Sequence, residues 1–364
     1  MMHTNSFHYI AGMLRKIFLI GGLLFAGWES KGQDPQFSQF YACPLYLNPG
    51  FAGTAPKYRV NLQSRIQWPS LPQAFVTHAF SMDDNVEKFN SGFGLLVTND
   101  RAGTAALQTT SAGLIYAYKF YLGQFLLCPG IDFAYTIRSI DRDKLISDDQ
   151  LQFGSTQIPP TIDPELQNLR NTSYFDFTFG TLLYNQKMWF GFTMNHLNRP
   201  NLSFVNADYR LPRKFTAHAG FRIPLNSGMF ASDRPTFITP SIIYRVQGQF
   251  TQMDVGINYY YQPVNIGIWY RGIPVQRTVA NYLNSDALIF LIGFSMWNLD
   301  INYSYDFTIS QLGPNTNGAH EVSLSYLFDV GKFRKLKEKH KKIPCPAFYN
   351  NGLNLNLPAW FKRR

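Results

Sequence analysis

Past residue 28 no stretch of this chain is apolar for the length a bilayer-spanning helix needs, about 18 residues or more, so helical spanning is excluded. From Lys57 to Phe328 it instead returns again and again to segments of roughly 10 to 16 residues in which apolar and polar side chains alternate, with turn residues between them. The clearest are YFDFTFGTLLY (174–184), TQMDVGINYYY (251–261), VNIGIWYR (264–271), LIFLIGFSM (288–296), LDINYSYDF (299–307) and EVSLSYLF (321–328). Side chains of a strand point alternately to its two faces. Ile301, Tyr303, Tyr305 and Phe307 therefore form one apolar face, expected to meet lipid. Asn302, Ser304 and Asp306 form a polar one, expected to line a lumen where an added Arg is tolerated. This is the pattern of an all-β, antiparallel transmembrane barrel.

Fourteen strands are predicted, at 57–68, 73–82, 90–99, 105–121, 124–140, 173–185, 187–197, 213–225, 235–247, 249–262, 264–272, 285–296, 298–307 and 319–328. A soluble β-sandwich also alternates, but the topology favours a barrel. An even strand number returns both chain ends to one side. The long connections (141–172, 198–212, 273–284, 308–318) all follow odd-numbered strands, while Leu122-Gly123, Gln186, Pro263 and Trp297 make tight turns after even ones. With the N-terminus in the periplasm, the long loops face outward, as outer-membrane barrels have them.

Composition agrees. Aromatic residues are 16% of the chain and charged residues 15%, against about 25% charged in ordinary soluble domains. Tyr and Trp settle at membrane interfaces, so Trp189-Phe190, Tyr259-Tyr260-Tyr261 and Trp269-Tyr270 are expected in aromatic girdles. The net charge of +10 is concentrated in 332–364, where ten basic residues face Glu338 alone, so a nucleic-acid partner is not implied. Such a tail suits anionic lipid headgroups or an acidic protein.

Arg15-Lys16, the apolar block Ile17 to Trp28 and the small-residue pattern Ser30-Lys31-Gly32 read as a signal peptide over 1–32, with Met13 an alternative start. The mature chain then divides into a periplasmic N-terminal segment (33–56), the outer-membrane barrel (57–328) and a basic, aromatic periplasmic tail (329–364). Cys43, Cys128 and Cys345 imply no disulfide framework, and no spacing suits a metal or another cofactor. His78, His196, His218 and His320 lack the context of a catalytic base, and Asp83-Asp84 and Asp148-Asp149 fall in expected connections. The pair Gly92-x-Gly94 lies inside a strand, which rules out a phosphate loop. An enzyme is not expected.

Several motifs go further. The mature N-terminus reads QDPQFSQF (33–40), then NPGFAG (48–53) and Tyr58-Arg59; later come GIWYR (267–271), YSYDFT (303–308), GAHEVSL (318–324) and CPAF (345–348). In this order they resemble the PorP/SprF family of type IX secretion system membrane proteins, departing at Gly50, where the family usually has alanine. The resemblance implies an outer-membrane barrel without catalytic residues. It implies partners in the secretion machinery of periplasm and outer membrane, and the C-terminal sorting domain of a large secreted cargo such as an adhesin or a gliding-motility protein. A passive diffusion porin is the alternative. The motif residues expected to make structural or partner contacts are Asn48, Pro49, Phe51, Ala52, Gly53, Trp269, Tyr270, Arg271, Tyr303, Tyr305, Asp306 and Glu321. Asn48-Pro49-Gly50 is a turn signal expected to pack the N-terminal segment against the barrel mouth. Arg271 and Asp306 are expected to pair inside the lumen as an internal strut.

Overall fold

The computed structural model describes residues 33–328 except 56–57, 72–73, 104–106, 142–143, 146–149, 151–160, 165–168, 206, 226–235, 278–282 and 311–312. Residues 1–32, expected to be a signal peptide, and residues 329–364, expected to be a periplasmic tail, lie outside the described residues.

The strands are β1 (Tyr58–Gln67), β2 (Phe75–Val86), β3 (Ser91–Ala102), β4 (Leu107–Tyr118), β5 (Phe125–Ser139), β6 (Thr172–Tyr184), β7 (Met188–Asn195), β8 (Lys214–Phe221), β9 (Thr236–Gln247), β10 (Phe250–Tyr261), β11 (Val264–Arg277), β12 (Leu283–Met296), β13 (Leu299–Thr308) and β14 (Ala319–Phe328). Two short pieces, Phe120–Leu122 and Ile223–Pro224, continue β4 and β8 after a one-residue break. Each strand pairs antiparallel with its sequence neighbours. The first and last strands close the ring, from Tyr58 opposite Phe328 to Gln67 opposite Ala319. Closure follows from the solvent. In hydrocarbon an open sheet edge leaves N–H and C=O groups unpaired at several kcal/mol each.

All fourteen predicted strands are present, and β1, whose ten residues match the roughly 9–11 needed to cross a bilayer, sets the height. The 273–284 connection contracts to 278–282 because β11 and β12 run on past register shifts at Arg271/Gly272 and Ile273/Arg277. Asp83 and Asp84, expected in a connection, belong to β2, and Asp83 points inward. On β13, Ile301, Tyr303 and Phe307 are exposed while Asn302, Ser304 and Asp306 are buried, so the two faces fall as the alternation predicts.

The aromatic girdle needs correction. Adjacent residues on a strand face opposite sides, so no consecutive pair can both meet lipid. Phe190, Tyr259 and Tyr261 are exposed outward, but Trp189, Tyr260 and Trp269 are buried inward.

Candidate functional site

Inward-facing side chains of an outer-membrane barrel are polar, and they need either water or protein partners. Here the partner is the chain itself. Residues 35–55 run through the lumen as a plug, with a short α-helix at Pro44–Leu47 and a 3₁₀ turn at Pro49–Phe51, and almost every residue from Phe37 to Ala55 is buried. The sequence reading puts this segment at the barrel mouth. The interior placement has a physical cause: the lumen offers a ring of hydrogen-bonding groups and a bed of glycines that only the backbone of another segment can match.

The plug is pinned at three levels. At the first, Glu321 on β14 accepts hydrogen bonds from the backbone N–H groups of Ser38 and Gln39, each at 2.8 Å. It also accepts from Gln63 Nε2 at 2.6 Å and from Arg65 Nη1 at 3.0 Å. Arg65 on β1 also reaches Asp306 at 2.7 Å, Asp306 meets Arg271 at 3.0 Å, and Arg271 and Arg245 both engage Asp254, at 3.2 and 2.6 Å. Three guanidinium groups thus alternate with three carboxylates across six strands, β1, β9, β10, β11, β13 and β14. The Ser38 hydroxyl sits among them, donating to Asp306 and accepting from Arg65 and Arg271. Burying such charges costs several kcal/mol per ion, a cost that pairing and hydrogen bonding offset; every ion here is paired, and only Arg65 Nε and Asp306 Oδ1 within the cluster lack a hydrogen-bond partner among the described residues.

At the second level, Asn48 is fully enclosed. Its carboxamide oxygen accepts from Gly50 N–H at 2.8 Å, and its nitrogen donates to the carbonyls of Thr181 and Phe192 and lies 3.2 Å from His218 Nε2. Phe51 stacks on the His218 ring with centroids 5.5 Å apart. Four inward glycines make the bed: Gly92 abuts Ala52, Gly130 abuts Pro49, Gly180 abuts Asn48, and Gly191 abuts His218 and Asn48. Any side chain at these points would occupy the space of the plug. At the third level, Gly53, with φ +66°, donates to Asp83, which also forms a two-point ion pair with Arg59, while Lys119 contacts the Gly53 carbonyl and Asn85. Burial pushes the Cys43 thiol up to about 11, and it contacts Ser81 Oγ at 3.7 Å.

The predicted motif residues divide between the two faces. Asn48, Pro49, Phe51, Ala52 and Gly53 belong to the plug, and Arg271, Asp306 and Glu321 hold it from the wall. The expected Arg271–Asp306 pair forms. Trp269, inward, meets Phe40 edge-on at 5.0 Å and donates to Asn258. Tyr270, Tyr303 and Tyr305 point away from the plug: Tyr270 OH pairs with Ser285 Oγ, and Tyr303 OH with His320 Nδ1, both at 2.8 Å. Sequence reasoning missed Ser38, Gln39, Arg59, Arg65, Asp83, Arg245 and Asp254. For the five charged residues the signal is a charge at the inward phase of an alternating strand, where an open pore and a plugged one look alike; Ser38 and Gln39, ahead of the first strand, carry no such signal. Among the described residues no cluster of His, Cys, Asp and Glu is arranged to hold a metal ion.

An apolar exterior, a polar interior and complete antiparallel closure define an outer-membrane β-barrel protein, here one whose lumen is occupied by its own N-terminal segment. The family model described as "Type IX secretion system membrane protein PorP/SprF" matches residues 29–326. The chain belongs to that family and is an outer-membrane component of the type IX secretion system. Among curated proteins none matches. Solved structures with a similar outline include the toluene transporter TodX of P. putida, at 10% identity and TM-score 0.45 over 78% of this chain and 93% of that one. A FadL homologue of Pseudomonas aeruginosa gives 13% identity and TM-score 0.39 over 79% and 96%. The outer membrane protein Omp33 of Acinetobacter baumannii gives 7% and 0.40 over 76% and 100%. At such values the likeness carries no functional argument, and the barrel assignment rests on the strand pairing.

Proposed function

We propose that this protein is a sealed, non-enzymatic membrane platform of the type IX system. It supports secretion or surface anchoring of a specific large protein, an adhesin or gliding-motility cargo, by engaging that cargo's C-terminal sorting domain and the periplasmic machinery. It is not a diffusion pore. The observation that carries this reading is the plug: segment 35–55 is hydrogen-bonded to strands on opposite walls of the lumen, from Glu321 and Asp306 on one side to Thr181 on the other, and to Asp83 on β2. A passive diffusion pore needs an open, water-filled lumen, which a covalently attached segment held by buried ion pairs takes up, whereas a platform needs only a rigid wall and no leak.

Two measurements test it together. The purified full-length barrel in planar bilayers is expected to show no steady ion conductance, and a strain lacking the protein to retain one large surface protein inside the cell while other exports proceed. A stable open conductance with cargo secretion unchanged in the deletion strain overturns the reading in favour of a porin.

A further inference from the structure

The outer face of the barrel is apolar almost everywhere, so polar side chains on it stand out. Ser64 on β1, His78 on β2 and Asn99 on β3 are direct cross-strand neighbours and all face outward. Asn99 donates to Thr110 on β4 at 2.8 Å, while Ser64 and His78 have no side-chain hydrogen bond among the described residues.

Their depth matters. β1 has just the length that crosses a bilayer, and Trp68, immediately beyond it, packs edge-on against Phe75 as a rim aromatic. Ser64 lies three residues before the end of β1, about 10 Å along the strand at roughly 3.3 Å per residue, and so below that rim. Beside this polar row the outer wall is hollow. A cavity of about 300 Å³ opens between Leu62, Phe80, Val97, Val322 and Leu324, with Ser64, His78 and Asn99 along one side. Leu62, Phe80, Val97 and Leu324 sit one step nearer the mid-membrane than the polar row.

We propose that this recess binds one outer-leaflet glycolipid of the lipid A class through the linkage region of an acyl chain. The orientation matches an amphiphile whose polar end points to the loop-bearing rim and whose chain points to the midplane. A hydroxyacyl amide or ester supplies what the row lacks: a carbonyl to accept from His78 and Asn99, and an N–H or hydroxyl to donate to Ser64. Unpartnered polar groups in hydrocarbon are costly, and a lipid held at the linkage depth removes that cost. The recess spans four strands, β14, β1, β2 and β3, and is concave, which suits a single chain better than the broad, flat contact that another membrane protein needs.

The test is lipid mass spectrometry on the full-length protein extracted from outer membranes in mild detergent and washed. Wild type is expected to retain about one lipid A-class molecule per barrel. The variant S64L/H78L/N99L is expected to retain at least about tenfold less. Val322→Trp, on β14 directly opposite Ser64, fills the recess while leaving Ser64, His78 and Asn99 in place, and is expected to act likewise. Heat-modifiable gel migration confirms in each case that the barrel is closed. Equal retention in the closed variants, no lipid A in wild type, retained phospholipid in its place, or loss of a co-purifying membrane protein with lipid unchanged each overturns the proposal.

Discussion

Replacing Glu321 with alanine removes the acceptor that holds the start of the plug. Four hydrogen bonds end on this carboxylate, two from plug backbone N–H groups and two from wall side chains, and Arg65 keeps only Asp306 as an ionic partner. Breaking a buried pair by deleting one member costs about 3–5 kcal/mol, because the partners stay buried without compensation. At 1.4 kcal/mol per factor of ten, that raises the population with the plug displaced by roughly two to four powers of ten. The β14 backbone ladder to β1 and β13 does not involve the side chain, so the barrel itself is expected to close. Cys43 reports on the plug, since it is part of it and is buried against Ser81 on the wall strand β2. In a background with Cys128 and Cys345 replaced by serine, the maleimide labelling rate of Cys43 in intact outer membranes is expected to rise at least a hundredfold, about the lower bound of that estimate. Conductance in planar bilayers is expected to appear with it. A labelling rate within tenfold of wild type in a properly closed barrel would falsify the claim that this cluster holds the plug.

Four further outcomes are expected, three of them from the same geometry. A side chain at Gly130 begins 2.6 Å from the Pro49 carbonyl carbon, so Gly130→Val is expected to expose Cys43 to labelling with strand pairing kept, as circular dichroism reports. On β13, Tyr303→Arg places a charge on the lipid face and is expected to cost up to about 2–4 kcal/mol in urea-unfolding experiments if it sits near the midplane. Ser304→Arg is expected to displace the plug, because Ser304 is fully buried against Gln39, so the tolerance expected of an open lumen does not apply. The apolar anchors Phe348, Tyr349, Leu353, Leu355, Leu357, Trp360 and Phe361 beside the basic stretch suit a periplasmic protein contact, so deleting 343–364 is expected to leave heat-modifiable migration intact while cargo secretion and crosslinks to periplasmic machinery fall; unchanged secretion would remove that role.

Strand number, the inward and outward faces and the family were all legible in the chain, and the reason is physical. In a bilayer every backbone group must be paired, so the strand period of two and the turn residues between strands leave little freedom, and a stretch such as 299–307 announces its own orientation. The Arg271–Asp306 pair was legible for the same reason: both residues occupy inward phases of late strands. The fate of residues 35–55 was not. Nothing local distinguishes a segment that rests at a barrel mouth from one that threads the lumen, because its partners, Glu321, Asp306, Asp83 and His218, lie tens to hundreds of residues away. Gly92, Gly130, Gly180 and Gly191 read as ordinary strand glycines until four strands bring them round one backbone. The sequence by itself determined that the chain forms a barrel and which side chains line its interior. Only the tertiary structure decided that the interior is occupied by the chain's own segment, because charges spread over six strands become a single binding surface only once the ring is complete.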